Sequence, residues 1–176
     1  MKPILFSTEM VRAILDGRKT MTRRVVKSDA KFIQWQPVVL NGYGGFCDEH
    51  GNPVKCRYEI GDTLWVRETW QTARYAPPGS TKLENVYIYK ADGGSFGEYE
   101  ITKWEPSIFM PLEACRLYLR ITDIRVERLQ DITEEDAIAE GVERNPEAAD
   151  WAVMCGKESW DANPYVWVIK FERIKL

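Results

Sequence analysis

Two long stretches in which apolar and polar residues alternate constrain the fold of this chain more than any other feature. The stretch "CRLYLRITDIRVERL", residues 115–129, places Leu117, Leu119 and Ile121 on one face, and its phase slips near residues 122–123, which predicts a bulge or bend. The stretch "PYVWVIKFERI", residues 164–174, alternates in the same way. Because a period of two is typical of β-strands, the chain is predicted to be built around a β-sheet.

Helical signals are few and short. The segments "STEMVRAILDG", residues 7–17, and "DITEEDAIAEG", residues 131–141, each combine an N-capping Ser or Thr with a terminal glycine. Further strand signals are "KTMTRRVV", residues 19–26, "GDTLWVRE", residues 61–68, and "VYIYKA", residues 86–91. This order predicts a single α+β domain over residues 1–176, with a small mixed or closed β-sheet flanked by short helices.

The charge of the chain is unevenly distributed. The formal net charge is −3, which argues against a general duplex-DNA binder. Cations nevertheless cluster between residues 18 and 27, and carboxylates cluster between residues 127 and 147. A basic pocket on an acidic protein suits one anionic or polar ligand, or a short single strand. No apolar run approaches the length of a membrane span, and no signal peptide is evident, so we expect a cytoplasmic protein without a membrane partner.

The cysteines and the single histidine limit the metal and catalytic chemistry of the chain. Cys47, His50 and Cys56 are close in sequence, but their spacing fits no standard zinc motif and a fourth ligand would have to come from elsewhere. We therefore expect free thiols and no metal site. The glycine-rich "DGGSFGE" has no phosphate-loop pattern, and no cofactor is predicted. With one histidine, acid–base chemistry has to use Lys, Asp, Glu, Tyr or Cys.

The stretch "GRKTMTRR", residues 17–24, carries the first candidate site. A threonine hydroxyl such as that of Thr22 needs a nearby base, and Lys19 serves only if burial or neighbouring cations lower its pKa. Positions 19 and 22 face opposite ways in a regular strand, so pairing them requires a turn near Lys19. The alternative is a solvated basic hairpin.

Other candidate residues lie later in the chain. Glu140 stands at the carboxyl end of the second predicted helix, where a negative charge is unfavourable by roughly 0.3–1 kcal/mol, which hints at another role. Arg67 could clamp a phosphate or carboxylate, and Trp65 or Trp70 could stack on a base, or all could belong to the core and its salt bridges. Asn163 could present its amide to a base edge, or simply begin a turn.

Together these motifs resemble the ASCH domain family of the PUA-like superfamily. The resemblance rests on a short helix followed by Gly17, Lys19 and Arg24, then on "IGDTLWVRE", and then on "LQDITEEDAIAEG" with a strand near the end of the chain. It covers nearly the whole chain, and the segments "LWVRETW", "EPSIFMP" and "NPYVWVIKFERI" are similar to the ASCH proteins of bacteriophage and prophage genomes.

The resemblance implies a small PUA-like β-barrel flanked by short helices, with insertions around residues 28–56, 71–106 and 143–164. It also implies a nucleoside, nucleotide or single-stranded RNA as ligand. One branch of the family removes the acetyl group of N4-acetylcytidine, and its active-site positions fall here on Lys19, Thr22 and Glu140. The residues expected to bind the ligand are Arg18, Arg23, Arg24, Arg67, Glu68, Trp70 and Asn163.

Three functions follow as expectations from this resemblance. The first is an amidohydrolase in which Lys19 acts as base, Thr22 as nucleophile and Glu140 as an orienting or proton-transferring group, with the roles of Lys19 and Thr22 open to exchange. The second is a non-catalytic module that binds RNA or modified nucleic acid. The third is an RNA-cleaving enzyme.

Overall fold

The computed structural model describes residues 1–28, 30–36, 45–75, 82, 84–93, 103–142 and 157–175, and the structural statements below concern these residues. They form strands and short helices. The strands are β1 (Lys2–Leu5), β2 (Met21–Val25), β3 (Ile33–Gln36), β4 (Gly45–Asp48), β5 (Thr63–Arg67), β6 (Trp70–Tyr75), β7 (Glu84–Tyr89), β8 (Tyr118–Arg128) and β9 (Tyr165–Ile174). The α-helices are α1 (Thr8–Leu15), α2 (Glu134–Ala139) and α3 (Lys157–Ala162), and single 3₁₀ turns cover Lys90–Asp92, Ser107–Phe109, Leu112–Ala114 and Leu129–Asp131.

One mixed sheet holds most of the strand residues. Its strand order is β1-β5-β8-β9-β2, with β1 parallel to β5 and β2 antiparallel to β9. Two antiparallel hairpins, β3-β4 and β6-β7, make separate two-stranded sheets. The predicted α+β class with a mixed sheet and few helices is therefore confirmed. In the described part of the chain, β1 and β2 are the two edges of the five-stranded sheet.

The backbone divides into two compact units. Unit 1 comprises residues 1–17, 63–119 and 173–176, and unit 2 comprises residues 18–62 and 120–172. The single domain with three insertions stays a prediction. Parts of those insertions, namely residues 29, 37–44, 76–81, 83, 94–102 and 143–156, lie outside the described residues.

Unit 1 contains the first helix in the predicted form. The hydroxyl of Ser7 accepts a hydrogen bond from the backbone N–H of Met10, and Gly17 follows the helix with a φ of 76°. The buried side chains Val11, Ala13 and Ile14 form the apolar face. Local capping and one apolar face are therefore sufficient to start and stop this helix where the sequence predicts. No helix among the described residues is long and apolar enough to span a bilayer.

Unit 2 is organised around β9. The four consecutive residues 166–169 are all buried, because β9 has a neighbouring strand on each side and both of its faces are covered. Val166 and Val168 pack with Met21 of β2 and Leu129, and with the partly buried Ala139 and Trp160. This core brings β2 against the end of α2, which is what positions the candidate site.

Candidate functional site

Lys19 lies in the short connection between α1 and β2, on the unit 2 side of the boundary. The connection is fixed by its backbone: Thr20 donates its N–H to the carbonyl of Ala139 at 2.8 Å and accepts from the N–H of Phe171 at 2.9 Å. Because β2 begins only at Met21, the alternation of side chains along this strand does not set the direction of the Lys19 side chain. The chain turns at Asp16 and Gly17, directly after α1, and the Lys19 side chain is directed into the protein, with 2% of its surface exposed.

The buried ammonium of Lys19 contacts oxygen atoms at the end of α2. Its Nζ donates to the backbone carbonyls of Met21 at 2.8 Å and Glu140 at 2.9 Å, and lies 3.6 Å from Oε2 of Glu140. Burial lowers the pKa of Lys19 from 10.5 to about 8, because a charged ammonium loses its hydration there; the Glu140 carboxylate opposes this change and the nearby Arg24 adds to it. At pH 7 about a tenth of the molecules then carry a neutral amine, against about one in three thousand for an ordinary lysine.

Glu140 is the C-cap residue directly after α2, and Gly141 follows it with a φ of 87°. The Glu140 side chain is 6% exposed. Its Oε1 accepts from Nη1 of Arg23 at 2.9 Å, while Oε2 faces Lys19. Two cations therefore offset the unfavourable position of this carboxylate at the negative end of a helix, and Glu140 is held in one orientation beside the Lys19 amine.

Arg23 is the centre of a buried ion-pair network. Its Nε and Nη2 donate to Oε1 of Glu127 at 3.1 and 2.6 Å, and Nη2 also reaches Oδ2 of Asp136 at 2.5 Å. Burial opposes the charge of Arg23, but its hydrogen bonds to Glu140 and Glu127 outweigh burial and raise the pKa of the guanidinium. All three guanidinium nitrogens thus donate to protein carboxylates, an arrangement that favours a positioning role over direct ligand contact.

Arg125 of β8 completes the network from the other side. It donates to Oε2 of Glu127 at 2.9 Å and to Oδ2 of Asp136 at 2.6 Å. Asp136 stands where a capping box on Thr133 would place a Glu or Gln. The Thr133 hydroxyl does accept from the N–H of Asp136 at 3.2 Å, but the Asp136 carboxylate binds the two arginines. The network joins β2, β8 and α2 and holds Glu140 in place.

Thr22 lies on the opposite face of β2 from Arg23 and is fully buried. Its Oγ1 accepts a hydrogen bond from Nη1 of Arg24 at 2.9 Å, and the same Nη1 donates to the carbonyl of Arg23 at 3.0 Å. Arg24 itself is exposed. The guanidinium of Arg24 therefore lies over Thr22, and a ligand that reaches the Thr22 hydroxyl has to displace this side chain.

Two further residues of unit 2 that were predicted to bind the ligand form hydrogen bonds with backbone groups of the protein. Arg18 donates from Nη1 to the carbonyl of Gly141 at 3.2 Å, at the end of α2. Asn163 adopts a φ of 42° after α3, and its Oδ1 accepts from the N–H of Gln130 at 2.9 Å. Asn163 thus forms the turn that the sequence offered as the alternative to base recognition.

The remaining predicted residues belong to unit 1. Glu68 is 1% exposed, and both of its oxygens accept from Arg116, at 2.8 and 2.9 Å. Arg67 donates from Nη2 to the carbonyl of Ile108, and its guanidinium lies 5.2 Å from the centre of the Trp65 ring. Trp70 packs edge-on against Tyr87 with ring centres 5.7 Å apart. The Glu68–Arg116 pair corresponds to the salt-bridge alternative, whereas Nε of Arg67 and Nε1 of Trp70 are buried without a hydrogen-bond partner among the described residues. Lys19, Thr22 and Glu140 all belong to unit 2.

The cysteine and histidine residues show no convergence on a metal in the described part of the chain. Cys47 is fully buried and its thiol faces the carbonyl of Gln34 at 3.7 Å, whereas the His50 side chain is 74% exposed. Cys47, Cys56 and Cys115 carry reduced thiols. Among the described residues no group of three or more His, Cys, Asp or Glu side chains is placed to hold a metal ion.

Compared with known proteins, the chain matches no family model, no curated protein and no solved structure. The chemistry of the site has to be read from its own geometry. That geometry offers a buried amine with a pKa of about 8, a carboxylate fixed beside it, and a buried hydroxyl that accepts a hydrogen bond from an arginine.

Three residues of the ion-pair network were not singled out from the sequence: Arg125, Glu127 and Asp136. The alternation of charged residues in "IRVER" of β8 is the signal that points to the first two.

Proposed function

We propose that this chain is an ASCH-type protein that recognises a nucleoside or nucleic acid and hydrolyses the amide of an N4-acylated cytidine or a related modified base. The observation that carries the proposal is the buried Lys19 amine, which has a pKa of about 8 and lies 3.6 Å from the fixed carboxylate of Glu140. A lysine in this state is suited to general-base catalysis near neutral pH.

In the proposed reaction, neutral Lys19 accepts the hydroxyl proton of Thr22 as Oγ1 attacks the carbonyl carbon of the amide. The tetrahedral intermediate then expels the exocyclic N4, which takes the proton back from Lys19 and leaves as the free amine of cytidine. The acyl group stays on Thr22 as an ester until water, activated by neutral Lys19, releases it as a carboxylic acid. Glu140 orients the amine throughout. Exchange of the roles of Lys19 and Thr22 is the other form of the scheme.

Access to Thr22 depends on Arg24. Because the Arg24 guanidinium donates to Oγ1 of Thr22, the substrate replaces this hydrogen bond when it binds. The released guanidinium is then available for the sugar or phosphate side of the ligand. Arg24 therefore couples the opening of the site to recognition of an anionic group.

The test is turnover of N4-acetylcytidine, free and within RNA, followed by chromatography of the deacetylated product. Lys19→Met, Thr22→Val and Glu140→Gln are each expected to lower kcat/KM by more than about 100-fold, while Lys103→Met, at an exposed lysine of unit 1, retains full activity. Full turnover in either Lys19→Met or Thr22→Val would refute the chemistry.

Non-catalytic binding is the second candidate, and the complete burial of Thr22 favours it. In this case the Thr22 hydroxyl serves only to orient Arg24 for a nucleic-acid ligand. Saturable, salt-sensitive binding of the RNA without product, unchanged in Thr22→Val but weakened in Arg24→Ala, distinguishes it from catalysis.

The fold that we propose together with this ASCH-type function is a PUA-like β-barrel. What supports it is the mixed five-stranded sheet with short helices, in which α1 precedes Lys19 and α2 ends at Glu140. An experimental structure in which further strands connect the two edges, β1 and β2, would establish the barrel. An open sheet would leave the site chemistry unchanged but remove the barrel.

A further inference from the structure

Trp35 is the most exposed tryptophan among the described residues. It lies in β3, and 58% of its surface is accessible, although indole is a large apolar ring. The neighbouring Ile33, on the same face of β3, is buried. An exposed tryptophan on a folded hairpin has an apolar face available to a planar partner.

A continuous series of aromatic side chains connects Trp35 to the candidate site. Trp35 is directly opposite Phe46 in the β3-β4 ladder, and the Phe46 ring packs edge-on against Trp167 of β9 with centres 5.1 Å apart. Trp167 is in turn directly opposite Arg24 in the β2-β9 ladder. Directly opposite residues have Cβ atoms about 5 Å apart and share one face, so this series ends at the face of β2 that carries Thr22.

Exposed cations are frequent in the stretch of unit 2 that carries β2, β3 and β4, which the exposed Glu59 directly follows. In the described residues between 18 and 58, the exposed ionisable side chains other than His50 are all cations: Arg18, Arg24, Lys27, Lys31, Lys55 and Arg57. The two described carboxylates of the same stretch are half-buried and accept hydrogen bonds, Asp48 from Asn52 at 2.9 Å and Glu49 from the N–H of Lys31 at 3.1 Å. Exposed cations together with an exposed aromatic ring are the combination by which single-stranded nucleic acids are bound.

We propose that Trp35 is a stacking platform for a base of a single-stranded nucleic acid whose modified nucleotide lies at Lys19 and Thr22. This inference rests on the proposed function and narrows it, because the substrate is then an oligonucleotide and not a free nucleoside. The aromatic series links the two subsites, and the exposed cations of the same stretch bind phosphates of the strand.

The first experiment compares kcat/KM for free N4-acetylcytidine with that for an RNA hexanucleotide containing one central N4-acetylcytidine. Trp35→Ala is expected to lower kcat/KM for the hexanucleotide by about 5- to 150-fold, mainly through KM, since one base stack contributes that much. It leaves turnover of the free nucleoside unchanged. Trp35→Phe retains most of the activity, because a phenyl ring still stacks.

The second experiment does not need turnover. A fluorescent hexanucleotide with ordinary cytidine is titrated with protein and followed by anisotropy, and Trp35→Ala is expected to weaken Kd by the same factor. Phe109→Ala is the matched control, because Phe109 of unit 1 is an equally exposed aromatic residue, at 67%.

The outcomes separate this inference from the proposed function. If the hexanucleotide binds through Trp35 and no variant or wild-type protein yields product, the stacking site stands and the chemistry fails. If free N4-acetylcytidine is hydrolysed but Trp35→Ala changes neither binding nor turnover of the hexanucleotide, the chemistry stands and the stacking site is overturned. Absence of hexanucleotide binding to wild-type protein also overturns it.

Discussion

The pKa of Lys19 predicts how the stability of the protein depends on pH. The buried amine has a pKa of about 8 in the folded protein and 10.5 in the unfolded chain. Below pH 8 it is protonated in both states, and the folded state bears the cost of a buried charge. Between pH 8 and 10.5 the unfolded chain binds the extra proton, so stability rises with pH.

The magnitude follows from these two values. A difference of 2.5 between them corresponds to about 3 kcal/mol in total, and about 2 kcal/mol of it is gained between pH 7 and pH 9.5. Burial also raises the pKa values of Cys115 and of Tyr89, the latter to about 12, and both groups act in the opposite direction at high pH. The wild type must therefore be compared with Lys19→Met, in which those groups are unchanged.

The assay is urea unfolding of both proteins at pH 7, 8, 9 and 9.5. We expect wild type to gain about 2 kcal/mol relative to Lys19→Met over this range. The exposed-lysine control, Lys103→Met, should follow wild type at every pH. If the difference between wild type and Lys19→Met is constant, Lys19 titrates as an ordinary lysine in the folded protein, and its proposed role as a base near neutral pH is refuted.

Three further predictions concern the charged groups around the site and in unit 1. Glu140→Gln removes the carboxylate that raises the pKa of Lys19, so the stability of this variant should begin to rise about one to three pH units lower than in wild type, measured by the same unfolding series. Arg23→Met leaves Glu127, Asp136 and Glu140 with one cation each instead of two, and should cost about 3 kcal/mol at pH 7, with a smaller loss at pH 5. Glu68→Gln weakens the pair with Arg116 and should cost about 2–3 kcal/mol by urea unfolding without changing kcat/KM, whereas a loss of activity greater than about 10-fold would make Glu68 a ligand-binding residue.

The sequence alone determined the elements whose signals are local. The Ser7 cap, the positive φ of Gly17 and the Thr133 cap are interactions within a few residues, and the structure contains each of them. Alternation likewise predicted β8 and β9, because the period of the side chains is a property of the strand itself. The sequence also singled out Glu140, since a carboxylate at the end of a helix is locally unfavourable.

Only the tertiary structure decided between Arg23 and Arg24. The two residues are identical and adjacent, and the alternation of a strand places them on opposite faces of β2. Which face meets carboxylates depends on the packing of α2 and β8 against β2, more than one hundred residues away along the chain. That packing buries Arg23 against Glu127 and Asp136 and leaves Arg24 exposed above Thr22. Long-range contacts of this kind have no local signature, because their energy comes from groups that the fold alone brings together.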